Sequence, residues 1–128
     1  MKKLKSKLAL LASSTFIAAS LSQFAQAEMS ITSTDIKAGE LMPKTQEFAG
    51  FGCTGDNLSP QLSWANAPAG TKSFAITAYD PDAPTGSGWW HWVLVNIPAS
   101  INTLATSAGK PEKALLPEGS QTFRNDYG

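Results

Sequence analysis

The sequence is poor in the residues from which most catalytic centres are assembled. Its 128 residues include one cysteine, Cys53, and one histidine, His91. One imidazole and one thiol cannot build the three- or four-ligand sites typical of zinc, and a single His with two aspartates is a weak pattern, so no metal is expected. A lone cysteine also excludes a disulfide closed within the chain. Charge is sparse, at 16% of residues, and the formal balance of ten basic against ten acidic side chains hides an asymmetry. Lys2, Lys3, Lys5 and Lys7 crowd the start; beyond residue 27 six basic side chains face ten acidic ones, a net of about −4. Such a surface offers no broad basic patch to a nucleic-acid backbone, so no nucleic-acid partner is expected. There is no P-loop, no dinucleotide fingerprint and no G-x-S-x-G elbow; Gly86-Ser87-Gly88 lacks the strand-turn-helix setting of a nucleophile. No cofactor is implied. Repeats, heptads and low-complexity tracts are missing too.

What is present begins with an address. The four lysines precede an apolar stretch, Leu8 to Leu21, and then Ala25-Gln26-Ala27, the small-x-small pattern that signal peptidase cleaves. Residues 1–27 therefore read as a signal peptide and 28–128 as one domain, placed in the periplasm or secreted. A membrane anchor competes with cleavage. The apolar run is short for a bilayer and is broken by Ser13, Ser14, Thr15 and Ser20, which favours cleavage and no stable anchor. In an oxidising compartment Cys53 is a buried inert thiol, an intermolecular partner, or half of a pair whose second member is missing. The chain stops at Arg124-Asn125-Asp126-Tyr127-Gly128, turn-like and with no closing strand behind it, so a domain incomplete at its C-terminal end is expected.

The pattern between is one of strands and turns. Met29 to Ile36 is rich in β-branched residues and predicts a first strand. Gly50 to Pro60 is dense in turn formers and predicts an irregular surface loop. Leu62-Ser63-Trp64 predicts a short strand. In Ser73 to Asp80, Phe74, Ile76 and Ala78 alternate with Ala75, Thr77 and Tyr79, the signature of a half-buried strand. Trp89 to Ile97 is nearly apolar on both faces, as a strand covered on both sides would be. From Pro98 onward the composition predicts a long connection, with a helical turn around Glu112 to Leu116.

The chemistry concentrates between Tyr79 and Trp92. Asp80 shares parity with Phe74, Ile76 and Ala78 at the end of one strand; His91 shares parity with Val93, Val95 and Ile97 near the start of the next. Pro81, Pro84, Gly86 and Gly88 make the connection a turn. If the two strands pair, Asp80 and His91 meet at one rim of the sheet, walled by Trp89, Trp90 and Trp92. A histidine oriented by a carboxylate can donate to an anion, and a concave aromatic mouth suits a small ligand. Plainer roles compete: Asp80 in an Asx-turn of its own D-P-D segment, Asp82 as a turn residue, and His91 as a satisfied core residue. Thiol catalysis by Cys53 with His91 finds no local cation to activate the sulfur. Hydrolysis by Asp80 and His91 acting on a water stays open.

Asp80-Pro81-Asp82-Ala83-Pro84, then Trp90-His91-Trp92 and Val95-Asn96-Ile97-Pro98, resemble the signature of the phosphatidylethanolamine-binding protein (PEBP) family. Cys53 to Pro60 and Leu62-Ser63-Trp64 resemble its bacterial Raf-kinase-inhibitor-like branch. The resemblance covers about residues 29 to 128. It implies an all-β fold: an antiparallel sandwich with Greek-key connections, little helix, and its last strands missing from this chain. It further implies a small anion pocket for phosphate-type or phospholipid head groups, such as phosphoethanolamine, and a binding protein in place of an enzyme. Asp80 and His91 match the pocket's acid and imidazole, Asp82 and Pro84 its flanking turn, and Trp90 stands beside the histidine. The resemblance implies a later glycine-proline segment, second His and Tyr, expected beyond residue 128, and a second Cys there to pair with Cys53. The family name also raises an inhibitory or signalling module acting on a protein partner.

Overall fold

The computed structural model describes residues 27–127; the signal-peptide assignment falls on residues 1–27 and so lies almost wholly outside the described residues. Among the described residues six strands form two three-stranded antiparallel sheets: β1 (Ser30–Thr32), β2 (Leu62–Ala65) and β5 (Thr103–Leu104) in the order β1-β2-β5, and β3 (Ser73–Asp80), β4 (Trp89–Pro98) and β6 (Gln121–Thr122) in the order β3-β4-β6. The only helical pieces among the described residues are single 3-10 turns at Lys44–Gln46 and Pro111–Lys113. The second is stopped by Ala114, whose φ is 49°. Among the described residues no helix is long and apolar enough to cross a membrane.

The core lies between the sheets. Leu62, Trp64 and Leu104 come from one sheet and Leu94 and Ile97 from the other, with Ala108 between them. The Trp64 and Phe74 rings meet edge to face across the gap, centroids 5.4 Å apart, a geometry favoured by aromatic quadrupoles. Alternation in β3 is clean: Phe74, Ile76, Ala78 and Asp80 are half-buried, and their neighbours face solvent.

The first strand is shorter than its β-branched composition suggests. Ser33 ends it, because its hydroxyl oxygen accepts the backbone N–H groups of Asp35 and Ile36 at 3.0 and 3.2 Å and turns the chain. In β4 the expected cover on both faces is uneven, with Val93 and Val95 only half-buried on the outer side. Its inward residues Leu94 and Ile97 are fully buried, while Trp90 on the other face is 42% exposed.

Candidate functional site

Strand β4 reaches the site by two dislocations. Phe74 pairs with Ile97 and Ile76 with Leu94, so β4 spends three steps where β3 spends two. Asn96 absorbs the extra residue at φ 56°, a left-handed conformation that asparagine tolerates. A second shift falls between Ala78↔Trp92 and Tyr79↔Trp90, leaving His91 as the extra residue of a bulge. Each bulge inverts the facing of the residues beyond it, so the two cancel. His91 thus shares the inward side with Ile97 as parity suggested, but Leu94 and Trp92 stand between them, not Val93 and Val95.

The bulge brings His91 to Asp80. Imidazole Nε2 lies 3.9 Å from Asp80 Oδ2, with the side chains 40% and 44% exposed. That separation exceeds a hydrogen bond and leaves room for a shared ligand atom or water. The other carboxylate oxygen, Oδ1, accepts the Asp82 N–H at 2.9 Å. The Asx-turn and the site are therefore served by the same carboxylate through different oxygens. Tyr79 locks the turn by donating its hydroxyl to the Ser87 carbonyl at 2.7 Å and covering Gly88 so closely that no Cβ fits there.

The C-terminal segment completes the wall, although its residues carry no periodic signal. Asp126 exchanges two hydrogen bonds with the Trp90 backbone, carboxylate to N–H at 2.7 Å and N–H to carbonyl at 3.0 Å. Asn125 donates its amide to the His91 carbonyl at 2.8 Å. Tyr127 places its hydroxyl 3.1 Å from His91 Nδ1, with the rings edge to face. Tyr127 is a site neighbour that the sequence reading did not single out. Burial pushes the Tyr127 phenol above its usual range, and negative charge at Cys53 and Asp80 adds to this. With the phenol as donor to Nδ1 the imidazole proton sits on Nε2, toward Asp80; with Nδ1–H as donor to the phenol oxygen, Nε2 is an acceptor.

These residues line one end of an open groove of about 1250 Å³ that runs between the sheets, with Phe48, Ile76, Ala78 and Trp92 among its apolar walls. A second cleft of about 320 Å³, lined by Met29, Ile31, Trp64 and Phe74, holds no titratable side chain. Trp90 is not part of the groove. It lies on the opposite face of the sheet, its ring 4.6 Å from Tyr79, because residues before and after the bulge face different ways. Trp92 and, through Tyr127, Trp89 take the wall positions (Trp89 to Tyr127, 5.5 Å). Asp82 and Pro84 lie in the turn outside the groove, and Asp82 reaches Asp80 through its backbone N–H. Cys53 is an exposed free thiol, not a buried one. Among the described residues no group of three or more His, Cys, Asp or Glu side chains is placed to hold a metal ion.

Comparison with known proteins fits this architecture. The family model described as phosphatidylethanolamine-binding protein matches residues 32–128. The chain belongs to the PEBP family. Among PEBP relatives, it is 54% identical over 102 residues to the UPF0098 protein YbcL of Escherichia coli strain K12, covering 80% of this chain and 56% of YbcL. It is 50% identical over 100 residues to YbhB of the same organism, covering 78% of this chain and 63% of YbhB. The crystal structure of E. coli YbcL, described as a new member of the mammalian PEBP family, superposes with a TM-score of 0.77 at 55% identity, over 80% of this chain and 62% of that one. A PEBP homologue from Chlamydia trachomatis, CT736, shares the fold at a TM-score of 0.61 and 27% identity, over 78% of this chain and 60% of that one. The chain spans less than two thirds of the length of these relatives.

Proposed function

We propose that this chain is an exported PEBP-family binding protein whose groove takes a phosphate-type anion, free or as a phospholipid head group. One observation carries the proposal: a single imidazole, tied to Tyr127 through Nδ1, directs Nε2 into an open groove with only a 3.9 Å carboxylate opposite. His91 is the donor to an anionic oxygen. Asp80 faces the imidazole across the groove, and its charge favours ligands that also bear an ammonium, such as phosphoethanolamine. The Asp82–Pro84 turn holds Asp80 in place. The export signal read from residues 1–27 supports a periplasmic or secreted location.

Calorimetric titration with phosphoethanolamine tests the site. His91→Ala, checked for folding by circular dichroism, is expected to lose about tenfold or more in affinity, the worth of a charge-assisted hydrogen bond. Unchanged affinity in a folded variant removes the assignment. The chain is proposed to bind without turning ligand over; phosphate-ester hydrolysis that disappears in His91→Ala would replace binding with catalysis.

A further inference from the structure

The groove holds a second cluster of polar groups beside the indole of Trp92, apart from the pair formed by His91 and Asp80. Ser59, Gly109 and Lys110 line it there. Two bonds tie these segments together. The Ser107 N–H donates to the Ser59 carbonyl at 2.8 Å, and the Gly109 N–H donates to Ser59 Oγ at 2.8 Å. Gly109 also approaches Trp92 closely: a Cβ there would stand 3.3 Å from the indole and 3.2 Å from Ser59 Oγ. Ser59, Trp92 and the backbone leading into Lys110 therefore converge. The Lys110 backbone is pinned in turn, its N–H donating to the Ser107 carbonyl and its carbonyl accepting the Lys113 N–H, both at 3.0 Å.

The cluster offers donors without acceptors. Having accepted the Gly109 N–H, Ser59 Oγ keeps its own proton, and among the described residues no acceptor meets it. The Trp92 indole N–H is buried with no hydrogen-bond partner among the described residues. Lys110 is half-buried, and among the described residues its ammonium forms no ion pair. The other charges on this groove are differently placed. Lys37 is paired with Glu40, and Glu112 is exposed and stays hydrated. Sheltered donors that lack acceptors, next to a half-buried cation that lacks a counter-charge, call for a negatively charged oxygen.

We propose that Lys110, Ser59 and Trp92 form a second anion subsite, so that the groove prefers a ligand with two anionic groups. The phosphate-type group meets His91, and a second oxyanion at the far end of the ligand's organic part meets Lys110. This rests on the reading of the His91 end as a phosphate site and narrows its ligand to a class, phosphate esters that end in another acid. Lys110 supplies charge; Ser59 and Trp92 supply directed hydrogen bonds.

Calorimetry on the full chain tests the subsite with ω-carboxyalkyl phosphates of about two to eight methylenes, a linker series that finds the span between two sites. Each is compared with the alkyl phosphate of equal length, so that apolar contact with the groove wall cancels. One length is expected to bind about fivefold or more tighter than its uncharged match, with the shortest within about twofold, and the advantage should shrink as salt rises. Lys110→Gln should erase the advantage and leave inorganic phosphate within about twofold, while Lys110→Arg should keep it. A series without an optimum, or an optimum that survives in Lys110→Gln, would overturn the proposal. His91→Ala separates the two ends, because it should weaken inorganic phosphate and every ester alike. If it leaves phosphate unchanged, the His91 assignment fails, and a length optimum abolished by Lys110→Gln still supports the Lys110 subsite.

Discussion

Two aspartates of this chain show how one side chain serves opposite ends. Asp35, in the loop after β1, engages both of its carboxylate oxygens within the fold. Its Oδ2 accepts the Gln61 N–H at 2.7 Å and the Thr106 hydroxyl at 2.5 Å, and its Oδ1 accepts the Thr34 hydroxyl at 3.1 Å. These contacts join three stretches that are distant in sequence. The Thr106 hydroxyl, then the Gln61 N–H and Thr34, hold the Asp35 carboxyl below its ordinary value against the opposing effect of burial. Asp80 spends one oxygen on its own turn and leaves the other facing an imidazole across a gap. Hydrogen-bond accounting thus separates a carboxylate that staples the fold from one that has capacity left for a ligand.

The contrast can be broken from either side. Asp35→Asn should give the largest effect, a clear fall in the urea midpoint with phosphoethanolamine affinity within about twofold of wild type, since the staple is remote from the His91 end of the groove. Equal loss of stability in Asp80→Asn would erase the distinction. Asp80→Asn is instead expected to weaken phosphoethanolamine about fivefold and inorganic phosphate much less, because a partly exposed, screened charge contributes modestly. Calorimetry on both ligands reads the ratio. Tyr127→Phe removes the hydroxyl that meets His91 Nδ1 and should cost about threefold in affinity while leaving the fold intact, the effect of one neutral hydrogen bond.

The smallest effects are those of pH. Asp35 has its folded value lowered from 3.8, so its contribution is whole above that pH and is lost as pH falls through the folded value. The midpoints of wild type and Asp35→Asn should converge there. Tyr127 has its folded value raised from 10.0, so its contribution is whole below pH 10 and is lost as pH rises past it. Melting curves of wild type and Tyr127→Phe that stay parallel through this range would contradict the burial of the phenol.

Much of this layout was legible in the residues, and the failures have physical causes. β3 was readable end to end, because eight residues of strict alternation leave no competing period. β4 was readable in extent but not in facing: its bulges break the period of two, and only Asn96 hinted at one of them. β5 and β6 were invisible, since two residues each cannot display a period. The Asp80–His91 pairing was foreseen from strand ends and from family resemblance. Tyr127 and Asn125 were not, because they reach His91 through single contacts from 36 and 34 residues away. Trp90 was misplaced for the same reason that His91 was placed correctly: the bulge sits between it and Trp92.

The paired dislocations of β4 make the imidazole's aim hostage to a distant amide. Asn96 lies five positions along the strand from His91 and does not line the groove, yet it sets the rotational phase that reaches the mouth. Glycine would keep that phase at little steric expense, whereas a β-branched residue resists positive φ and would straighten the ribbon. Half a turn lost there would swing the only histidine of this chain out of the hollow and into open water.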